Sequence, residues 1–219
     1  MGRAKEIEIK VIPASIANTF VKKHHYSGKV VANSNLHFGV FFENNLHGVM
    51  SYGSSINKKG TINLVKGTKW NEFLELNRMA FDDVLPRNSE SRAISQSIKL
   101  IKKNAPHIKW IISFADGCQC GDGTIYRASN FVLTDIRVNE ALRINPKTGE
   151  KMHTITAYHK QIKDFKKWKP IQGYQLRYIY FIDKSYRERL TVPEIPFSKI
   201  DEIGAGMYKG EKIPIKERR

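Results

Sequence analysis

Alternating apolar and polar residues predict several β-strands along the chain. "EIEIKVI" predicts a first strand, and "NLHFGVFFENNLHGVMSYG" predicts a hairpin that turns at "ENN". "FLELNRMAF" predicts a further strand with Leu74, Leu76, Arg78 and Ala80 on one side. "IKWIISF", "VLTDIRV" and "YQLRYIYFID" predict three more, and the apolar run of the first is typical of a central strand.

The longest predicted helix lies in "PRNSESRAISQSIKLIKKNAP", where Ile94, Ile98 and Ile101 recur at helical spacing. Asn88 or Ser89 is expected to cap its start, because a side-chain oxygen there can accept a free backbone N–H. "PASIANTFVKKHHYSG" predicts a short helix that ends at "YSG", and "TIYRASNF" and "QIKDFKKWK" predict two more. Residues 53–70, "GSSINKKGTINLVKGTKW", are polar and predict a loop.

This order of elements predicts a mixed α/β sheet flanked by helices, rather than an all-parallel doubly wound sheet. The sequence contains no GxGxxG and no Walker motif, which argues against a dinucleotide-binding or P-loop domain. With 219 residues and 41% hydrophobic content the chain can bury one sizeable core. We predict a single catalytic domain over residues 1–190 and a basic, Pro- and Gly-rich tail over 191–219.

The location is expected to be cytoplasmic, with no membrane as a partner. No apolar run reaches the roughly 18 residues that a membrane-spanning helix needs, and "MGRAKEIEIK" lacks the apolar stretch of a signal peptide. Cys118 and Cys120 are one residue apart, so a disulfide between them would be strained and reduced thiols are expected.

The net charge of +16 indicates an anionic partner, and nucleic acid is the first candidate. Aromatic residues alternate with basic ones in "KDFKKWKP" and "YQLRYIYF", a mixture suited to phosphate contacts and base stacking. The nucleic-acid-binding candidates are Lys166, Lys167, Trp168 and Arg177. The same segments also fit an amphipathic helix and a core strand with solvated lysines, and a basic protein can bind acidic lipid.

Asp116 and Tyr126 are candidates for catalysis. Asp116 ends "WIISFAD", and the carboxyl end of a central strand is where open α/β sheets place their ligands. A partly buried carboxylate there would suit general-base work, although Asp116 could equally only turn the chain into "GCQCGDG". Tyr126 lies in a short helix, where its phenol could donate a proton, stack on a base or pack in the core.

The start of the long helix is a candidate anion site, because a helix amino terminus offers unpaired N–H groups and a positive dipole end. Arg87 supplies positive charge there, and Ser89 and Ser91 supply hydroxyl donors. Arg78 lies between apolar neighbours in a strand. If its face is covered it needs a carboxylate partner such as Glu75, Asp82 or Asp116.

"KKHHYSG" places His25 and Tyr26 among lysines, as a base, a proton donor or simply exposed residues. Neither the seven histidines nor the cysteine pair has the ligand spacing of a known metal site. We therefore expect no metal.

Taken together, "ELNRMAF", "LPRNSES", "IISFAD" and "GTIYRASNF" resemble the Mom family of phage DNA-modification proteins, within the GNAT acyltransferase superfamily. The similarity extends from about His24 to Leu133. It implies a GNAT-like mixed sheet, splayed at its centre, with an acyl donor between the ELNRMAF and IISFAD strands and its pyrophosphate at the helix start. The donor implied is acetyl-CoA or a related acyl-CoA, or a glycyl-tRNA-type carrier, with tRNA then a second partner.

The resemblance also implies a product, an adenine in DNA that bears a carbamoylmethyl (glycinamide-like) group on its exocyclic amine and is protected from host restriction. The target amine is paired inside a duplex, so the adenine must be flipped out of the helix. Tyr52 is expected to stack on it, with Phe114 or Trp110 as alternatives. Other readings are a GNAT-fold N-acyltransferase for a protein or small amine, and a non-catalytic basic DNA-binding protein.

The essential positions of the family correspond to His25, Tyr26, Arg78, Ser91, Asp116 and Tyr126. The resemblance implies that Asp116 accepts a proton from the adenine amine. Tyr126 and Tyr26 would position donor and base or protonate the leaving group. Arg78 would hold Asp116 or the donor, and Ser91, with Ser89, Asn88 and Arg87 beside it, would bind the donor phosphate.

Overall fold

The predicted strands and the longest predicted helix are present in the computed structural model, which describes residues 2–118, 121–171 and 173–206. The strands are β1 (Glu8–Val11), β2 (Ser34–Phe42), β3 (Asn45–Gly53), β4 (Phe73–Phe81), β5 (Trp110–Asp116), β6 (Val132–Asn139), β7 (Leu142–Ile144), β8 (Lys151–His153), β9 (Lys169–Pro170) and β10 (Gly173–Phe181). The α-helices are α1 (Ala14–His24), α2 (Lys58–Ile62), α3 (Ser89–Asn104), α4 (Thr124–Ala128), α5 (Thr154–His159) and α6 (Ser198–Glu202). Cys120 and residues 207–219 of the predicted tail lie outside the described residues.

The chain divides into two units. Unit 1 comprises Met1–Ser113, Thr124–Thr134 and Tyr178–Glu194, and unit 2 comprises Phe114–Gly123, Asp135–Arg177 and Ile195–Arg219. The predicted boundary between residues 190 and 191 stays a prediction. Among the described residues, no helix combines the length and the apolar composition needed to cross a bilayer.

Within the described residues, seven strands form the main sheet in the order β1-β2-β3-β4-β5-β10-β6. The predicted hairpin is β2 and β3, joined by Glu43 and Asn44 with φ of 49° and 63°. Two consecutive left-handed residues are the geometry of a two-residue hairpin turn that follows the twist of the strands. β1 to β4 pair antiparallel, and β4 pairs parallel with β5.

The two faces of the sheet in unit 1 pack against different helices. On one face α1 buries Ala17 and Val21 against Val49 and Ala80. On the other face α3 buries its predicted isoleucine stripe, and Ser97 of α3 lies 2.7 Å from the hydroxyl of Tyr52. Helices on both sides explain why the central strands are buried on both faces.

A bulge in β4 contradicts the predicted alternation of that strand. Leu76 pairs with Tyr52, and Arg78 pairs with Ser51, the neighbour of Tyr52. Asn77 is therefore an extra residue in β4 that has no paired residue of its own on β3. Because Ser51 and Tyr52 point to opposite faces, Leu76 and Arg78 do so as well. Arg78 therefore shares the α1 face with Ala80, while Leu76 lies on the α3 face.

The segment "QIKDFKKWK" is not the predicted helix. Only Phe165–Lys167 forms a short 3-10 turn, and the segment continues into β9. Strands β8, β7 and β9 form a separate three-stranded sheet in unit 2, where Met152, Ala157 and Trp168 make a small core. The 53–70 segment is also more ordered than predicted, because it contains α2, capped by the side chain of Asn57.

The bulge generates a stability prediction. The buried amide of Asn77 accepts a hydrogen bond from Ser34 Oγ at 3.0 Å and donates to the carbonyl oxygen of Ser54 at 3.4 Å. Asn77→Ala leaves Ser34 Oγ without this acceptor and removes one of the two hydrogen bonds to the carbonyl oxygen of Ser54, which still accepts from Asn33, so we expect urea unfolding to show a loss of about 1–3 kcal/mol. As a control, Asn104→Ala removes an exposed amide at the end of α3 and should cost less than about 0.5 kcal/mol. Equal losses in the two variants would contradict a special role for Asn77.

Candidate active site

The end of α1 is tied to β4 through an arginine. Gly28, with φ of 59°, adopts the left-handed conformation that lets the chain reverse, and its N–H donates to the carbonyl oxygen of His25 at 2.8 Å. Arg78 Nε then donates to the carbonyl oxygen of Lys29 at 2.9 Å. Both His25 and Tyr26 are close enough to interact electrostatically with Arg78. Three predicted residues therefore form one cluster in unit 1.

The geometry of His25 fixes its protonation state. Its Nδ1 accepts a hydrogen bond from the backbone N–H of Ser27 at 3.1 Å and lies 2.8 Å from Ser27 Oγ. A backbone N–H can only donate, so Nδ1 is unprotonated and the neutral ring carries its proton on Nε2. Burial, with the charge of Arg78 as a second cause, lowers the pKa of His25 to about 4. Near neutral pH His25 is thus a hydrogen-bond donor, poorly suited to accept a proton.

Glu75 joins this cluster on the same face of β4. It pairs with Gly53 and Arg78 pairs with Ser51, two residues apart on β3, so both side chains leave the sheet on one side. Burial raises the pKa of the Glu75 carboxyl, although hydrogen bonds with Ser55 and Asn77 and the charge of Arg78 act in the opposite direction. A carboxyl group with a raised pKa is a stronger proton acceptor than an exposed one, which suits general-base work.

β4 and β5 separate at the centre of the sheet. Their parallel register pairs Phe73–Glu75 with Trp110–Ile112, and across the described residues of the two strands pairing ends there. The next residues are linked through a side chain instead, since Ser113 Oγ donates to the carbonyl oxygen of Leu76 at 3.2 Å. The resemblance implied a splay between these two strands, and their register fits it.

Tyr126 is buried at this point of separation. Its hydroxyl lies 2.9 Å from Ser113 Oγ, and its ring packs against Tyr178 and Phe131. Ser113 has one proton, so it donates either to Leu76 or to Tyr126 at a given moment. When Ser113 donates to Tyr126 it can stabilise a developing phenolate, as a proton-donating role for Tyr126 would require.

Tyr52 does not fit its predicted role of stacking on a base. Its side chain is 0% exposed, and its hydroxyl is bonded to Ser97. Burial raises the pKa of Tyr52, so the phenol keeps its proton. Trp110, an alternative stacking residue, is also fully buried. A base could reach neither ring in this structure, and both side chains belong to the core.

The start of α3 differs from the predicted cap. Asn88 has φ of 72° and makes no side-chain capping bond, so the capping prediction is wrong: a capping residue needs an extended backbone. Ser89 is the first helical residue and is completely buried, and its Oγ has no hydrogen-bond partner among the described residues. Ser91 Oγ donates to the carbonyl oxygen of Asn88 at 3.2 Å. Exposed Arg87 adds positive charge beside the first turn of α3, where the N–H of Ser89 donates to the carbonyl oxygen of Pro86 at 3.1 Å.

Asp116 lies in unit 2, whereas Tyr126 lies in unit 1. Asp116 Oδ1 accepts hydrogen bonds from the backbone N–H of Cys118 at 3.0 Å and from Asn139 Nδ2 at 3.3 Å. The bond to Cys118 is the turn-forming interaction that was the structural alternative for this residue. The predicted convergence of Asp116 and Tyr126 in one cleft stays a prediction.

The nucleic-acid-binding candidates of unit 2 differ in exposure. Lys166 and Lys167 are exposed on the 3-10 turn and can reach phosphate groups. Trp168 is 8% exposed and packs in the small core, so stacking on a base does not fit it. Arg177 lies 3.7 Å from Asp135, an ion pair that competes with phosphate binding. Burial also lowers the pKa of Arg177.

The sequence alone did not single out Glu75 and Ser113 as site residues. Glu75 was predicted only as a partner for Arg78, and Ser113 was taken as part of an apolar strand. The available signal was "ELNR", where polar residues interrupt the alternation expected of a strand and so indicate a bulge. Among the described residues, no group of three metal-binding side chains converges.

Solved acetyltransferases share this fold. The spermidine/spermine N-acetyltransferase SpeG of Vibrio cholerae aligns over 84% of this chain and 98% of its own, with a TM-score of 0.50 and 10% identity. A Bacillus subtilis acetyltransferase in complex with CoA aligns over 81% of this chain and 98% of its own, with a TM-score of 0.48 and 11% identity. The chain has the mixed α/β fold of the GNAT acetyltransferases, as predicted.

The sequence comparisons are more specific. The family model of the Mom protein family matches residues 6–199. Methylcarbamoylase mom of Escherichia phage Mu is 36% identical over 198 residues, which cover 86% of this chain and 80% of that protein. This chain belongs to the Mom protein family, and the predicted resemblance is confirmed.

His25 generates a prediction on pH dependence. Its folded-state pKa of about 4 lies below the value of about 6.5 for an unperturbed histidine, so the unfolded chain binds the proton more tightly. We expect its contribution to stability to be complete above about pH 6.5 and to be lost as the pH falls toward 4. Nitrogen-detected NMR should show a proton on Nε2 and no titration between pH 5 and 8. A resonance of His25 with a midpoint near 6.5 would contradict this assignment, and His25→Asn should remove its share of the pH dependence.

Proposed function

We propose that this protein is a transferase that attaches a carbamoylmethyl-type group to the exocyclic amine of adenine in phage DNA, in the cytoplasm of the infected host. The observation that carries the proposal is the match over 198 residues to the methylcarbamoylase of phage Mu. The GNAT fold supports a transferase. A modified amine would block recognition of the DNA by host restriction enzymes.

The charge of the chain favours DNA over a cationic amine as the acceptor. A net charge of +16 attracts a polyanion and repels a polyamine, although the structural relative SpeG is named for spermidine and spermine. Lys166 and Lys167 are exposed and can contact phosphate, although Lys167 Nζ lies 3.0 Å from Asp164 Oδ1, an ion pair that competes with such a contact. The target adenine must leave the duplex stack before its amine can react.

The start of α3 is the proposed site for the phosphate groups of the donor. The first turn of α3 supplies backbone N–H donors and the hydroxyl of Ser91, with Arg87 and Arg92 nearby, whereas the Oγ of Ser89 is completely buried. The relative from Bacillus subtilis was solved with CoA, which supports an acyl-CoA donor. A glycyl-tRNA-type donor would present phosphates of the same kind, so this site is compatible with either.

In the simplest acyl transfer, the adenine nitrogen bonds to the carbonyl carbon of a glycyl donor and the bond from that carbon to the leaving group breaks, which gives glycyl adenine. An isomerisation must follow to give the carbamoylmethyl product: the adenine nitrogen exchanges its bond to the carbonyl carbon for a bond to the methylene carbon, and the amino group moves from the methylene to the carbonyl carbon. The nitrogen loses a proton to a base, and the leaving thiol or hydroxyl gains one. We propose Asp116 as the base, with Glu75 as the second carboxylate of suitable chemistry. Tyr126, supported by Ser113, protonates the leaving group, and His25, Tyr26 and Arg78 orient the reactants.

Mass spectrometry of nucleosides tests this function directly. DNA from cells that express the chain is digested, and deoxyadenosine should gain the mass of a carbamoylmethyl group. A glycyl group attached through its carbonyl carbon has the same atoms, so fragmentation must locate the bond to nitrogen. Attachment through the methylene carbon would support a carbamoylmethyl product. Unmodified adenine in DNA that the protein binds would instead favour the non-catalytic alternative.

Two matched carboxamide variants separate the candidate bases. Asp116→Asn and Glu75→Gln each remove one proton acceptor and keep the shape of the side chain. We expect the variant of the true base to lose about 100-fold or more in the yield of modified adenine per unit time. DNA affinity should stay within a few-fold of wild type in both. Full activity in Asp116→Asn would remove Asp116 from the mechanism and leave Glu75 as the base.

The proposed phosphate site predicts how the protein responds to CoA. We expect CoA to raise the unfolding temperature of the wild type. Ser91→Asp puts a carboxylate in the first turn of α3, where it repels phosphate, so the CoA-induced shift should disappear. Ser95→Asp, one turn further along on the exposed face, is the matched control and should keep the shift. Loss of the shift in both variants, or in neither, would contradict this site.

A further inference from the structure

We propose that the 53–70 segment of unit 1 is a docking surface for DNA, on which the exposed indole of Trp70 stacks against an unpaired base. The inference rests on the proposed function, since it takes DNA as the substrate. It gives a DNA-binding role to residues 53–70, which the sequence analysis predicted only as a polar loop.

The first argument is charge. The segment contains Lys58, Lys59, Lys66 and Lys69 and no acidic residue. The adjacent acid, Glu72, is already engaged by the backbone N–H of Lys69 at 2.8 Å and by the hydroxyl of Tyr186 at 3.0 Å. Such an uncompensated cluster of lysines fits the phosphate backbone of a nucleic acid.

The second argument is the aromatic residue within this charge. Trp70 is 69% exposed, and Lys58 Nζ lies 4.6 Å from the centre of its ring. Leaving this much indole in water is unfavourable for the isolated protein, and a partner that covers the ring would recover that free energy. An aromatic ring beside an ammonium group is the combination that binds unpaired bases, because the ring stacks on the base and the lysine contacts phosphate.

The third argument is that the backbone of this surface is held in place before DNA binds. The carbonyl oxygen of Leu64 accepts a bond from the backbone N–H of Thr191 at 2.9 Å, and the N–H of Lys66 donates to the carbonyl oxygen of Arg189 at 2.9 Å. The indole N–H of Trp110 donates to Thr68 Oγ1 at 3.1 Å. Fewer degrees of freedom are then lost on binding, which favours affinity.

The segment also adjoins the cluster around Arg78. Ser55 hydrogen-bonds the Glu75 carboxyl, and the hydroxyls of Ser55 and Thr61 lie 3.0 Å apart. The next residue, Ile56, is 81% exposed. An apolar side chain of this kind can enter the gap left when a base leaves the stack. The docking surface is thus linked through Ser55 to the Glu75 carboxyl of β4.

Tryptophan fluorescence provides a direct test, because the other two tryptophans, Trp110 and Trp168, are buried. A duplex containing one adenine opposite an abasic site is titrated into the full-length protein. We expect quenching in the wild type and none in Trp70→Phe, whose buried tryptophans serve as an internal reference. Trp70→Ala should weaken binding by roughly 5- to 100-fold, as expected for one lost stacked base, whereas Trp70→Phe should retain most of the affinity. Unchanged fluorescence on saturation with this duplex would overturn the proposal.

A pair of double variants tests the lysines. Lys58→Ala with Lys59→Ala should lower the slope of log K against log salt concentration by up to about 2. Lys102→Ala with Lys103→Ala removes the same charge from the far end of α3 and should leave the slope nearly unchanged. Equal effects of the two pairs would show general electrostatics and overturn a localised surface.

The outcomes also separate this surface from the proposed function. Quenching that depends on Trp70, without any change in the mass of adenine, would leave the surface standing and remove the enzymatic function. If Trp70→Ala modifies adenine fully and binds DNA with unchanged affinity, the docking surface is overturned and the enzymatic function is retained. The same fluorescence titration is repeated with vesicles of anionic phospholipid. Quenching by vesicles but not by DNA would overturn the proposal and indicate that the segment binds a membrane surface.

Discussion

The bulge at Asn77 is the feature on which the candidate site of unit 1 depends. One additional residue in β4 reverses the alternation of the strand, so Glu75 and Arg78, three residues apart, both emerge on the face covered by α1. Arg78 can therefore bond to Lys29 after the end of α1 and hold His25 and Tyr26 beside it. Without the bulge, Glu75 and Arg78, which are three residues apart, would point to opposite faces of the sheet. The buried amide of Asn77 stabilises this irregularity by binding Ser34 and Ser54.

Burial then sets the chemistry of the groups that the bulge brings together. It lowers the pKa of His25 and of Arg78 and raises the pKa of the Glu75 carboxyl, so each group is driven toward its neutral form. The three groups respond differently, because histidine becomes neutral well below pH 7 while arginine keeps its charge. The cluster thus combines one fixed positive charge, one neutral donor and one carboxyl with increased proton affinity. Such a set can orient an amine and accept its proton.

The sequence was sufficient for the elements whose patterns are local. The hairpin, the isoleucine stripe of α3 and the strands β4 and β5 follow from alternation or helical spacing, and the fold class followed from their order. Burial of single aromatic residues could not be predicted, because it depends on which face an irregular strand turns inward. Tyr52 and Trp168 were taken as stacking residues and are core residues, whereas exposed Trp70 was overlooked within a polar segment. The left-handed backbone of Asn88 could not be predicted either, because asparagine is common both as a helix cap and in left-handed turns.

Both substrates of the proposed reaction are anions, and this explains how a net charge of +16 can coexist with a site of largely neutral groups. Lysines such as Lys58 and Lys166 are at the surface, where they can attract phosphates without entering the chemistry. A lysine beside Glu75 would stabilise the carboxylate and lower its pKa, which would weaken it as a base. Arg78 already acts in this direction, but burial is the larger effect and raises the pKa of Glu75, and the Arg78 guanidinium is engaged by two backbone carbonyl oxygens, those of Lys29 and Asn77. Separating the charge that binds from the groups that exchange protons allows one small basic chain to hold a polyanion and still deprotonate an amine.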